Sequence, residues 1–188
     1  TGSSDLNPIG AQLDLIMQFV PNAKTIGTIY NSSEINSQFQ VEILKKELAR
    51  YNVTLVEGTV SSVNDVQQVA QGLIGKIDAL YVPTDNIIAS AMPVLTKITT
   101  PAKVPVITGE EGPLHGGGLA TVGVDYYELG KIAGNMGADI LEGKSKPADM
   151  PIQYQKEFKV KVNEPVLKTL GLQLPEALKG KAELGDFH

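Results

Sequence analysis

Three polar clusters each follow directly on a strand-like apolar run. Asn31-Ser32-Ser33-Glu34 comes after residues 26–30, Thr84-Asp85-Asn86 after residues 79–82, and Gly109-Glu110-Glu111 after residues 104–107. Their side chains are suited to recognition. Ser32, Ser33, Asn36 and Ser37 gather hydroxyls, amides and backbone N–H groups at a helix start, where the helix dipole favours an anion such as a ligand carboxylate. Asp85, Glu110 or Asp125 can neutralise a ligand ammonium through charge-assisted hydrogen bonds. Each cluster also has a plainer explanation. A single serine there can simply cap its helix, Thr84-Asp85-Asn86 can be a turn and cap after Pro83, and Glu110-Glu111 can be a solvated pair of which one, Glu110 by preference, faces inward. The functional argument rests on convergence, because the carboxyl ends of parallel strands share one edge of a sheet.

The elements that must place these clusters follow from periodicity. Leu6, Ile9, Leu13, Ile16 and Val20 recur at helical spacing, Pro8 suits a first turn and Pro21-Asn22 ends the element. Residues 25–30 read as a buried strand, and Ile35, Phe39, Ile43, Leu44 and Leu48 as the apolar face of a second helix capped by Ser32 or Ser33. A strand at 53–56 leads to a helix capped by Asn64 or Asp65 and carrying Val66, Val69, Leu73 and Ile74. After the strand at 79–82 a helix starts near Ile87, with Pro93 predicted to kink or split it. Strands at 104–108 and 119–124 are joined by a glycine-rich connection, Gly116-Gly117-Gly118, read as a possible hinge. A long helix from Tyr126 to Glu142 uses Leu129, Ile132, Met136 and Ile140 and ends at Gly143. Residues 152–162 form one extended or broken strand, and Asn163-Glu164-Pro165 starts a short last helix. Alternating strands and helices predict an α/β fold with a parallel, doubly wound, Rossmann-like sheet.

Composition narrows the chemistry. The 188 residues, 42% hydrophobic and 20% charged, suit an ordinary globular core, and a net charge of -5 with scattered basic residues argues against a nucleic-acid partner. Zero cysteines exclude disulfides and thiolate chemistry, while His115 and His188 alone provide no zinc-binding spacing. No phosphate loop, dinucleotide turn or nucleophile elbow is present, so no cofactor and no metal is expected. No apolar run spans a bilayer, and the start at Thr1, without methionine or export signal, reads as a fragment or a processed form.

From Thr1-Gly2-Ser3-Ser4-Asp5 through Tyr30-Asn31-Ser32-Ser33-Glu34-Ile35-Asn36-Ser37, Val82-Pro83-Thr84-Asp85-Asn86 and Gly123-Val124-Asp125-Tyr126-Tyr127-Glu128-Leu129-Gly130, the chain resembles the substrate-binding proteins of bacterial ABC transporters. The likeness is to the type I periplasmic-binding-protein group that includes aromatic amino-acid binders. It implies two α/β lobes that close on a ligand, an extracytoplasmic location, either periplasmic or lipid-anchored at the outer face of the membrane, and a permease partner. It further implies that residues 1–118 are the second lobe, 119–146 a crossing and helix of the first, and 147–188 the return. Asn31, Ser32, Ser33, Asn36 and Ser37 would then hold an amino-acid backbone, with Thr84, Asp85, Glu110 and Asp125 in the cleft. On that basis the uncovered stripe of helix 126–142 is expected to drive self-association. The competing possibilities are a small α/β enzyme using Asp85, Glu110 and Asp125 on a nucleoside or sugar, and the effector-binding domain of a transcription regulator.

Overall fold

The computed structural model describes residues 1–187; His188 lies outside them. In chain order the elements are β1 (Ser3–Ser4), α1 (Ile9–Phe19), β2 (Thr25–Asn31), α2 (Ile35–Leu48), β3 (Thr54–Val60), α3 (Val66–Leu73), β4 (Ala79–Val82), α4 (Asn86–Thr99), β5 (Val106–Thr108), β6 (Ala120–Gly123), α5 (Tyr126–Leu141), β7 (Gln153–Tyr154), β8 (Lys159–Asn163), α6 (Glu164–Leu170) and β9 (Ala182–Gly185). Seven strands make one sheet in the order β3-β2-β4-β5-β6-β8-β9, and β1 pairs with β7 in a separate two-stranded ribbon. Strands β3, β2, β4, β5 and β6 are parallel, as the alternating pattern predicts.

Period-two alternation explains why both faces of this sheet are covered. Ala79 and Tyr81 of β4 point into a core shared with α1, α2 and α6, whereas Leu80 and Val82 point into a second core with α3 and α4. Ile26 and Ile29 of β2 divide between the same two cores. The arrangement is the doubly wound sheet that the sequence predicts.

Several local expectations change. Pro93 does not split α4; the helix runs through it from Asn86 to Thr99. Residues 152–162 take the broken one of the two expected forms, as β7 and β8. Strand β8 runs antiparallel to β6, because the chain leaves the sheet after β6, builds α5 and β7 beyond that edge, and re-enters from the same side. The glycine run seats closely against α4 and β5. A Cβ at Gly116 would stand 2.4 Å from the Met92 Cβ of α4, and Gly117 takes φ +97°, a conformation that favours glycine.

Helix α5 belongs to neither core. Of its residues, Leu129 and Met136 are buried against the β1 side, Ile132 and Ile140 are half-buried, and Leu141 is 90% exposed. The apolar stripe is therefore partly covered by the chain itself, which weakens the expected drive to self-association. One flank of that stripe is bare: a Cβ at Gly130, Gly134 or Gly137 would meet no atom within 4 Å.

Candidate functional site

The predicted clusters do share an edge. Asn31 ends β2, Thr84 and Asp85 follow β4, Glu110 follows β5 and Asp125 follows β6, and these four strands are consecutive parallel neighbours. At about 4.8 Å per strand the row spans roughly 14 Å, wide enough for a ligand of amino-acid size.

Thr84 is the most thoroughly anchored residue of the row. Its carbonyl accepts from Asn36 Nδ2 and from Ser37 Oγ, both at 2.9 Å, and its N–H donates to Gln40 Oε1 at 3.0 Å. Ser37 is fully buried, so its hydroxyl is a brace and not a ligand contact, contrary to expectation. Asn36 likewise uses its amide nitrogen on Thr84, although its side chain lies at the surface.

Asp85 requires a larger correction. It is 2% exposed, and its two carboxylate oxygens accept from Asn31 N at 2.6 Å and from Ile88 N at 3.0 Å. The carboxylate caps α4 and ties β2 to β4, so it has no face for a ligand ammonium. Asp125 has a related task, its Oδ1 accepting from the Tyr127 and Glu128 N–H groups at the start of α5, but its side chain is exposed at the sheet edge.

The start of α2 differs from both. Neither Ser32 nor Ser33 caps it; Glu34 occupies the N-cap position without a side-chain cap. The Glu34 carboxylate turns instead to Asn86, accepting from its N–H and Nδ2 at 3.2 and 2.9 Å. Burial opposes charge on Glu34, but the bonds from Asn86 and Asn31 hold its carboxyl below the ordinary value. Asn31 Oδ1 accepts from Ser33 N, and Ser32 N donates to Val60 O, while both serine side chains are exposed. The first-turn N–H groups of α2 are thus left without a protein side-chain cap at the edge where Thr84 lies, an arrangement that favours an acidic oxygen.

Of the two adjacent glutamates, Glu111 pairs with Lys161 at 2.6 Å, whereas no ion pair among the described residues reaches Glu110. Glu110 is half-buried beside the Tyr126 hydroxyl and Asp5. Burial raises its pKa above the usual carboxylate range, the Tyr126 hydrogen bond works against the rise, and the Asp5 charge adds to it. Burial together with the Glu110 and Asp5 charges pushes the Tyr126 phenol up to about 12. A carboxyl whose folded pKa lies above its unfolded value contributes stability below the unfolded pKa and loses it as pH rises through the folded one. Glu110→Gln should therefore raise the unliganded thermal midpoint at pH 7, with the gain shrinking toward pH 4. Thermal melts across that range check the sign; a gain that grows on acidification would contradict it.

Besides Gln40, two buried amides at the site carry little mark in the sequence patterns. Gln12, fully buried on α1, donates to the carbonyls of Gly109 and Val122 at 3.0 and 2.9 Å and accepts from Tyr81 Oη at 2.7 Å. Asn7 bridges Thr84 and Val124. Gln12 lies three residues after Ile9 and four before Ile16, so a polar residue on the apolar stripe was the available signal. A cavity of about 730 Å³ adjoins the β6 end of the row. It is bounded by Glu111, Ile132, Tyr154, Phe158 and Lys161, and of the predicted site residues Asp125 alone borders it. No group of acidic residues or histidines among the described residues could hold a metal ion.

Comparison with known proteins places this geometry. Residues 1–184 match the model of the family described as ABC transporter substrate binding protein. A tyrosine-binding protein of Clostridioides difficile is 43% identical over 173 residues, covering 92% of this chain and 50% of the relative. Two solved structures are similar over nearly the whole chain and 62% of their own length. One is a substrate binding protein with adhesive properties from Clostridium difficile, in ligand-free, open form (41% identity over 99% of this chain, TM-score 0.83). The other is an ABC domain in complex with L-Trp from Streptococcus pneumonia (36% identity over 98% of this chain, TM-score 0.88). The chain spans about half the length of the curated relative and under two thirds of these structures. These relatives bind substrates and are not enzymes, which sets aside the catalytic alternative. The chain belongs to the ABC transporter substrate-binding protein family.

Proposed function

We propose that this chain forms part of an extracytoplasmic receptor that binds an aromatic L-amino acid between two lobes and delivers it to a membrane permease. The observation that carries the proposal is the polarity of the sheet edge. The uncapped start of α2 and Thr84 lie toward one end, and the unpaired Glu110 with Asp125 toward the other. An α-amino acid carries both charges on one carbon, so its carboxylate would sit on the first-turn N–H groups of α2 and the Thr84 hydroxyl, with the Ser32 and Ser33 hydroxyls on one side, and its ammonium on Glu110 at the adjoining strand end, with Asp125 beyond. A ligand lacking either charge would leave a desolvated partner unsatisfied, costing about 1–3 kcal/mol. The aromatic preference is supported by the tyrosine-binding relative and the relative in complex with L-Trp. No cofactor enters this reading.

In the same reading, residues 1–118 form most of the second lobe, 119–146 cross to the first once β6 has joined the second lobe's sheet, and 147–188 return as the terminal part of the second lobe. The bare flank of α5 and the separate β1-β7 ribbon support that division, as surfaces suited to further sheet and helix. No helix among the described residues is long and apolar enough to cross a membrane. Calorimetry on the full-length protein with tyrosine, tryptophan, leucine and glutamate tests the function. Binding confined to the aromatic pair is the expected result; preference for glutamate or a sugar would refute the assignment.

A further inference from the structure

Asn7 lies on the segment between β1 and α1 and is 4% exposed. Its Oδ1 accepts from the Val124 N–H at 3.2 Å, just beyond β6, and its Nδ2 donates to Thr84 Oγ1 at 2.8 Å. The Val124 N–H can only donate, so the amide oxygen must face it and the amide nitrogen must face Thr84. The Thr84 oxygen is consequently an acceptor within the protein. A hydroxyl has one hydrogen, and with Asn7 supplying the bond, that hydrogen is left to donate elsewhere.

The rest of Thr84 cannot turn to change this, since Asn36, Ser37 and Gln40 hold both of its main-chain polar groups. The Asn7 side is equally confined. A Cβ at Gly123 would come within 2.6 Å of the Gly109 carbonyl and 3.2 Å of Asn7 Oδ1.

We infer that Asn7 is a positioning residue that presets the Thr84 hydroxyl as a hydrogen-bond donor, so that this point of the cleft accepts a ligand's carboxylate oxygen and disfavours a donor or a bare hydrocarbon. The inference rests on the amino-acid-binding reading above. It assigns Asn7 no contact with ligand: its effect is exerted through Thr84.

The test uses the full-length protein, titrated calorimetrically with L-tryptophan and with tryptamine, which lacks the carboxylate. Asn7→Asp keeps an acceptor for Val124 but replaces the donor facing Thr84 with a second acceptor, drawing the threonine hydrogen inward. It should weaken L-tryptophan binding about tenfold to a hundredfold, the range for a hydrogen bond to a charged group, and leave tryptamine binding within about twofold. Thr84→Val should show the same selective loss, Thr84→Ser should retain most of the affinity, and Asn7→Asp should cost nothing further in the Thr84→Val background. A merely structural role for Asn7 would reduce both ligands equally, and that result, or full L-tryptophan affinity in Thr84→Val, would overturn the inference while leaving the receptor reading intact. Absence of any amino-acid binding by the unaltered protein would overturn both. If Asn7→Asp does not fold, the valine and serine variants at Thr84 decide between these outcomes.

Discussion

Replacing Asp85 with alanine should lower the thermal midpoint of the unliganded protein by roughly 6–12 °C, a loss independent of any ligand. The carboxylate accepts from Ile88 N as the cap of α4 and from Asn31 N at the end of β2, in a site 2% exposed. Loss of a cap costs about 1 kcal/mol, and a buried N–H left without an acceptor costs about 1–3 kcal/mol more. The total of about 3 kcal/mol converts at 2–4 °C per kcal/mol for a chain of this size. Asp85→Asn should lose less, because its amide oxygen can still serve one of the two donors. Thermal unfolding by circular dichroism gives the answer; a shift under 2 °C would return Asp85 to the list of ligand contacts.

Gln12→Leu should be at least as damaging, at about 4 kcal/mol. The leucine fills much of the space but leaves the carbonyls of Gly109 and Val122 and the Tyr81 hydroxyl unpaired in a site without water access. The chemistry also predicts a coupling. Tyr81→Phe alone orphans the Gln12 amide oxygen and should cost about 1–2 kcal/mol, whereas in the Gln12→Leu background it removes an already orphaned hydroxyl and should be neutral or stabilising. Urea denaturation of the four proteins measures the cycle. Strictly additive losses would mean that the Tyr81–Gln12 bond contributes nothing.

These residues show where sequence patterns speak and where they fall silent. Helical spacing revealed α1, α2 and α5, and apolar runs revealed β2, β4 and the convergence of their polar ends, because burial leaves a regular trace. The cap of α2 was misread because serine is the commoner cap, and nothing local shows that Glu34 occupies that position while its carboxylate reaches Asn86. The polar type of Asp85 and Ser37 does not reveal which way their side chains point. Their partners Asn31 and Thr84 lie 47 or more positions away in sequence. Strand β9, Ala-Glu-Leu-Gly at the sheet's edge, has neither the length nor the apolar content that would mark it. The antiparallel direction of β8 follows from the path of the whole chain and not from its own residues.

The pairing of Ser3–Ser4 with Gln153–Tyr154 also sets an order of events during synthesis. At 5–20 residues per second the ribosome takes roughly 7–30 s to travel from one strand of that ribbon to the other. Throughout that interval β2, β3, β4 and β5, whose partners emerge close behind one another, have everything they need to assemble. By the time Gln153 appears, the sheet has already brought the two ends of the intervening chain together, and the entropy of closing so long a loop no longer falls on two short strands. The ribbon is a late addition to a sheet already largely built, which is how a pairing only two residues long can hold Ser3–Ser4 in place.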